Sequence, residues 1–145
     1  LGLSAVFSEN KFGYSASALT DCQAFLIEKE TIAKVIKQNG LFGFSLARRY
    51  CEQNNNLLSV IQDLNYKQMN GRLAGTLLYL DSLRSEAPDI FQVLSRKDLA
   101  DFAGISTESA VKLLKLFEKD GLIELDEKDV ILKNHGSLSE ISKRG

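Results

Sequence analysis

The chain has 145 residues, of which 44% are hydrophobic, and a formal net charge of −1. This apolar content supports a packed core and excludes a disordered chain. No run approaches the roughly 18 apolar residues of a membrane span, and residues 1–7 lack the basic region of a signal peptide. We therefore expect a cytoplasmic protein that makes no membrane contact.

Residue types that carry chemistry are scarce. Cys22 and Cys51 form no CxxC pair and have no partner histidines, so the sequence predicts no disulfide framework, metal site or other cofactor. We expect both thiols to be buried as small apolar residues. The lone histidine, His135, precedes Gly136 and is interpreted as a loop residue. Without a phosphate loop, a recognisable carboxylate pair or a nucleophile with a histidine base, the sequence predicts that the protein is not an enzyme.

The amino-terminal part has the pattern of a β structure. Residues 3–7 and 14–28 are typical of strands, and 10–13 of a turn between them. Two strands do not make a stable sheet alone. We therefore expect the chain to begin inside a β domain whose earlier strands precede this sequence.

A short helix over 29–39 and a long helix over 42–63 follow. The long helix has a heptad pattern with a polar Asn54 at an a position, which is how a parallel two-stranded coiled coil fixes its register. We predict a dimer interface along it. The alternative is that this face packs inside a monomer. The predicted interface residues are Ala47, Tyr50, Asn54, Leu57, Leu58, Ile61 and Leu64.

The next helix, over 66–84, carries Gly71 and Gly75 four residues apart, a spacing that permits close helix packing. The only proline, Pro88, marks a boundary. We predict three parts: the end of an effector-binding β-roll with its adjoining helix (1–36), the dimerisation helix and the helix that follows (37–87), and a winged helix-turn-helix (88–145).

The winged helix-turn-helix is predicted from its turn chemistry. Ser95 caps a first helix with Asp98 in an approximate capping box, and Gly104 supplies a left-handed turn. Ser106 or Thr107 caps a second helix that ends at 120–121. A strand at 122–125, a turn at 126–129 and a strand at 130–133 complete the wing.

A single helix fits the major groove, and residues at its start reach base edges. The segment 88–145 has nine Lys and Arg against eleven Asp and Glu. DNA binding therefore needs its cations on one face, as the second helix provides. We predict base-edge contacts from Thr107, Glu108, Val111 and Lys112, and phosphate contacts from Ser95, Arg96, Lys115 and Lys133.

The chain resembles the CRP/FNR family of bacterial transcription regulators. The resemblance rests on the run 70–74 (NGRLA) and above all on 95–109, from Ser-Arg-Lys-Asp-Leu-Ala to Gly-Ile-Ser-Thr-Glu-Ser. It implies an α+β, mainly helical fold with part of a cyclic-nucleotide-binding-like β-roll, a long dimerisation helix and a winged helix-turn-helix. It also implies a homodimer on a palindromic site, effector control through the roll, and contacts to RNA polymerase.

This sequence departs from the family's pattern in places that bear on specificity. Lys112 stands where the family commonly has arginine, and lysine lacks the bidentate fork. Val111 replaces a serine or glycine. Residues 10–16 lack the arginine with which cyclic-AMP-binding members hold the phosphate, and Leu57-Leu58 replaces their adenine-binding Thr-Ser. We therefore expect no conventional cyclic AMP response, and the effector is unknown.

The sequence is also compatible with a second function. A winged helix can serve as a protein-interaction module without DNA binding. The acidic balance of 88–145 and the acid-rich wing tip, with Asp126, Glu127 and Asp129, favour that alternative.

Overall fold

The computed structural model describes Gly2, Phe7 and residues 14–145. The described chain is mainly helical with one small antiparallel sheet. This confirms the mainly helical α+β fold class predicted from the sequence. A short 3₁₀ turn, Leu83–Ser85, follows the third helix. In chain order the elements are α1 (Lys29–Gln38), α2 (Gly40–Tyr66), α3 (Met69–Ser82), α4 (Ile90–Val93), α5 (Arg96–Ala103), α6 (Thr107–Lys119), β1 (Ile123–Asp126), β2 (Asp129–Leu132) and α7 (His135–Arg144).

The strand predicted over 14–28 is not formed, so this stretch supplies no part of a β-roll. A strand needs a neighbour for its backbone hydrogen bonds, and the described residues pair no segment with this one. Within the other predicted strand, 3–7, the structure describes Phe7 alone, in a turn, and the turn predicted at 10–13 lies outside the described residues.

The chain divides into two compact units, Leu1–Leu58 and Ser59–Gly145. Among the described residues of the first unit, none is fully buried. Cys22 and Cys51 are both exposed there. The expectation that these thiols are buried is therefore wrong, because this unit offers them no core to enter.

The second unit holds the core. Leu73, Leu77 and Leu80 lie one turn apart on α3 and are at most 1% exposed. Burying a leucine of this kind stabilises the fold by about 1.5–3 kcal/mol. The α3 stripe packs in one cluster with large side chains from five other elements, namely Phe91, Leu99, Leu114, Val130 and Leu138.

Helix α7 packs closely on α3. A Cβ added at Gly71 would come 2.8 Å from Gly145 Cα, and one at Gly75 would come 2.9 Å from Ser142 Oγ. The close packing predicted for these two glycines is thus confirmed. The interpretation of His135 as a loop residue is wrong, because His135 begins α7 after the N-cap residue Asn134.

Candidate nucleic-acid interface

The first helix of the helix-turn-helix, α5, begins at a complete capping box. The Ser95 hydroxyl accepts from the Asp98 backbone N–H at 3.1 Å, and the Asp98 carboxylate accepts from the Ser95 backbone N–H at 2.7 Å and from its hydroxyl at 2.6 Å. These hydrogen bonds lower the pKa of Asp98, the one from the Ser95 side chain most. The predicted cap is therefore confirmed, and it fixes where α5 starts.

The turn after α5 is set by a glycine. Gly104 has φ +62°, in the left-handed region that side chains with a Cβ rarely adopt. The Ile105 N–H donates back to the Ala100 carbonyl at 3.0 Å, which closes the end of the helix. Because Ala100 is small and fully buried, α6 can cross close to α5.

Helix α6 starts at Ser106, whose hydroxyl accepts from the Ser109 backbone N–H at 3.1 Å. It buries Ala110, Leu114 and Phe117 against the core. The opposite face carries the predicted base readers: Thr107, Glu108 and Lys112 are exposed, and Val111 is half-buried beside them. One exposed face thus presents all four at the amino end of the helix.

Glu108 and Lys112 form an ion pair one turn apart, with Lys112 Nζ 2.7 Å from Glu108 Oε1. Both side chains are about three-quarters exposed, at 77% and 73%. An exposed pair at this spacing contributes about 0.3–0.5 kcal/mol. Exchanging it for contacts to bases would therefore cost little.

The wing is a β-hairpin whose turn has two residues. Its register pairs Ile123 with Leu132 and Asp126 with Asp129, and Glu127 at the tip has φ +50°. Lys133, just after β2, forms an ion pair with Glu124 across the wing. The predicted wing is confirmed, although each strand starts one residue away from its predicted position.

The predicted phosphate-contacting residues lie in different settings. Lys115 and Lys133 are exposed, on α6 and at the wing. The Ser95 hydroxyl is taken up by the capping box. Arg96 is half-buried and donates from Nη2 to the Glu127 carbonyl at 3.1 Å, and burial lowers its pKa. Arg96 therefore faces the wing tip.

The residues predicted for the dimer interface all lie on α2. Leu57 and Ile61 are 62% and 53% exposed, and Leu58 and Leu64 are also exposed. Ala47 and Asn54 are exposed as well, whereas Tyr50 is half-buried with its ring edge-on to Phe7, 6.5 Å between centroids. The single chain thus leaves an apolar stripe open to solvent.

The sequence reasoning missed Arg84, which joins the wing to the end of α3. Its guanidinium contacts Asp129, 45 residues away, at 2.7 Å. Asp129 was noted only as one acid of the wing tip, and Arg84 belongs to no periodic pattern or recognised motif. No sequence signal singled it out.

Within the described part of the chain, no three His, Cys, Asp or Glu side chains are grouped so as to hold a metal ion. Across the same residues, no helix combines the length and apolar character that crossing a bilayer requires.

Comparison with known proteins identifies the helix-turn-helix. Residues 71–141 match the Crp-like helix-turn-helix domain. The chain is 30% identical over 128 residues to the anaerobic regulatory protein of Bacillus subtilis (strain 168), a match that covers 86% of this chain and 54% of that protein. The chain thus spans about half the length of this curated relative.

The fold is similar to that of FixK2 from Bradyrhizobium japonicum, with a TM-score of 0.68 over 79% of this chain and 59% of that one. The two chains are 16% identical, so this similarity concerns the fold alone. The family-model match, the curated relative and the shared fold agree with the capped helix pair and wing described above. Together these matches support a regulator of the CRP/FNR family, and residues 71–141 form a Crp-like helix-turn-helix domain.

Proposed function

We propose that this protein is a sequence-specific DNA-binding regulator of transcription that acts as a homodimer on a palindromic site. The observation that carries the proposal is the exposed face of α6, where Thr107, Glu108, Val111 and Lys112 stand together at the amino end of a capped helix. That is the part of a recognition helix that reaches base edges in the major groove. Glu108 can accept from a cytosine amino group, and Lys112 can donate to guanine.

Phosphate contacts position such a helix without reading sequence. We assign them to Lys115 on the same helix and to Lys133 after the wing, both exposed. Ser95 and Arg96 are the other two proposed phosphate contacts, and a phosphate would replace the hydrogen bonds that they now make to Asp98 and to the wing tip. The cationic side chains of Lys115, Lys133 and Arg96 locally offset the net negative charge of residues 88–145.

The homodimer is proposed on the exposed stripe of α2. An apolar stripe with a three-and-four spacing and one polar a position, Asn54, suits a parallel helix pair. A two-fold pair of α6 helices would meet two half-sites about one helical turn, ~34 Å, apart. The palindrome follows from that symmetry.

Control by an effector and contact with RNA polymerase are proposed from the resemblance to the CRP/FNR family. The Bacillus relative is named for anaerobic regulation, so oxygen-poor growth is the first condition in which to seek regulated genes. We expect cyclic AMP to leave DNA affinity unchanged, because residues 10–16 contain no arginine for its phosphate.

The test is selection of bound duplexes from a random pool by the full-length protein, followed by the affinity of the winning duplex across a salt series. We expect a palindrome, and a log affinity that falls linearly with log salt. If no sequence is enriched, with or without cell extract to supply an effector, and binding shows no salt dependence, the proposal fails.

That failure would favour the alternative of a protein-interaction module, which the acidic wing supports. The wing carries Glu124, Asp126, Glu127 and Asp129. Two of these acids are already paired within the fold, Glu124 with Lys133 and Asp129 with Arg84.

A further inference from the structure

Arg84 lies in the 3₁₀ turn after α3 and binds the segments on either side of it. Its Nε is 3.0 Å from Asp81 Oδ1, at the end of α3. Its Nη1 donates to the Pro88 carbonyl at 3.1 Å, in the loop that leads to α4. Two donors of the guanidinium therefore hold the chain where it leaves α3.

The third nitrogen of Arg84 faces the wing. Nη2 donates to Asp129 Oδ1 at 2.7 Å and to the Val130 carbonyl at 2.9 Å, both at the start of β2. Beneath it, the guanidinium carbon lies 4.9 Å from the centroid of the fully buried Phe91 ring. One side chain thus links the end of α3, the following loop, α4 and the wing.

The Asp129 carboxylate is also held by a hydrogen bond from its own strand. The Val130 backbone N–H donates to its carboxylate at 2.7 Å. Burial alone would raise the pKa of Asp129, but the hydrogen bonds from Arg84 and Val130 outweigh it and keep the pKa below its ordinary value. The Asp129 carboxylate therefore stays ionised, and paired with Arg84, over the physiological pH range.

The geometry suits orientation better than packing. An apolar side chain over Phe91 would fill the same space, and replacing an ion pair by apolar residues is often neutral for stability. Planar, charge-assisted hydrogen bonds fix direction as well as distance. Arg96 adds a second restraint, since it donates to the Glu127 carbonyl at the wing tip. Two arginines from outside the wing thus hold its turn.

We propose that Arg84 is a positioning residue for DNA binding: it sets the wing at the angle at which Lys133 meets a phosphate while α6 occupies the major groove. Lys133 directly follows β2, whose first two residues receive both hydrogen bonds of the Arg84 Nη2 atom. A tilt of β2 therefore moves Lys133 relative to α6. This inference rests on the proposed function.

The test uses the full-length protein and the selected duplex, with the variants Arg84→Gln, Arg84→Lys, Lys133→Ala and the double variant Arg84→Gln/Lys133→Ala. We expect Arg84→Gln to lower the slope of log affinity against log salt by about 0.9 per half-site, as loss of one phosphate contact does. Hydroxyl-radical protection under the wing should be lost, and protection beside α6 kept. The double variant should lose no more than Lys133→Ala alone.

The matched control is Arg144→Gln, which removes an arginine from an exposed ion pair with Glu140 on α7. It should leave slope and footprint unchanged. Arg84→Lys keeps the charge without the planar fork, so it should give a partial loss; this variant also serves if Arg84→Gln fails to fold. If the effects of Arg84→Gln and Lys133→Ala simply add, or if the whole footprint weakens evenly, the positioning role is wrong.

A readout without DNA separates this inference from the proposed function. In Arg84→Gln, hydrogen exchange at the Val130 amide should accelerate while α6 amides keep their wild-type protection. If wild-type protein binds no duplex, the proposed function fails, and the positioning of DNA contacts fails with it. If DNA binds but Val130 exchange does not change, Arg84 does not hold the wing and this inference alone fails.

Discussion

Leu64, near the carboxyl end of α2, lies directly against Gly104 in the turn of the helix-turn-helix: a Cβ added at Gly104 would come 2.5 Å from Leu64 Cδ2. Gly104 is therefore restricted twice, by its left-handed backbone and by the space above it. The Arg72 guanidinium strengthens the same junction by donating to the Leu64 carbonyl at 3.3 Å. The end of α2 therefore packs directly against the turn between α5 and α6.

This relationship predicts that Gly104→Ala destabilises the protein more than Gly121→Ala. Gly121 has φ +70° and nothing within 4 Å of an added Cβ, so it reports the backbone penalty alone, about 1–2 kcal/mol. Gly104→Ala also forces the end of the partly exposed Leu64 side chain to shift, which adds about 1 kcal/mol, for a total of about 2–3 kcal/mol. Urea unfolding measures both. Adding Leu64→Ala should recover part of the excess at Gly104, and equal losses for the two glycines would refute the contact.

The capping box predicts a stability effect and a pH effect. Ser95→Ala should cost about 1 kcal/mol in the free energy of unfolding. The folded pKa of Asp98 lies below its ordinary value of 3.8, so its stabilisation is present above that pH and is lost as the pH falls through the folded pKa.

Asp98→Asn should accordingly flatten the acid limb of a plot of unfolding free energy against pH, below about pH 4. Thermal unfolding across pH 2–6 checks this, with Glu86→Gln, an exposed carboxylate beyond the 3₁₀ turn, as the control. A control that flattens the limb as much as Asp98→Asn would show that the capping box is not the cause.

Lys115 and Glu108 should separate positioning from readout. Lys115→Gln should reduce the salt slope by about 0.9 per half-site and weaken all duplexes alike. Glu108→Gln should leave the slope nearly unchanged and relax the preference at one base pair of each half-site, by about 1–3 kcal/mol. Competition binding with single-base variants of the selected duplex measures both. A reversal of these two patterns would contradict the assignment of roles on α6.

Leu57→Asp with Ile61→Asp should give monomers in sedimentation equilibrium and weaken DNA binding. Both residues are more than half exposed in the single chain, so helix content by circular dichroism should be kept. Ser59→Asp, an exposed position on the same helix outside the a and d stripe, is the matched control. If the double variant remains as dimeric as the control, the coiled-coil interface is wrong.

Much of the fold was predictable because its signals are local. Each of three local features depends on residues no more than five positions apart: the caps at Ser95 and Ser106, and the left-handed turn at Gly104. The apolar stripes of α3 and α6 repeat every three or four residues. Such signals can be read before any tertiary contact is known. The long helix α2 and the wing were predictable for the same reason.

Other features depended on partners far away in the chain. The stretch 14–28 has strand-like residues, but it forms no strand, because a strand needs a neighbour. Helix α7 is short, and it packs because Gly71 and Gly75, some 70 residues earlier, leave room for it.

The same distinction runs through the candidate site. The sequence alone determined which side chains stand on the outer face of α6, because helical period decides that. The tertiary structure alone decided that Arg96 turns toward the wing tip and that Arg84 meets Asp129. A guanidinium hydrogen-bonds to whatever acceptors the fold brings within reach, and those acceptors lie 31 and 45 residues away along the chain.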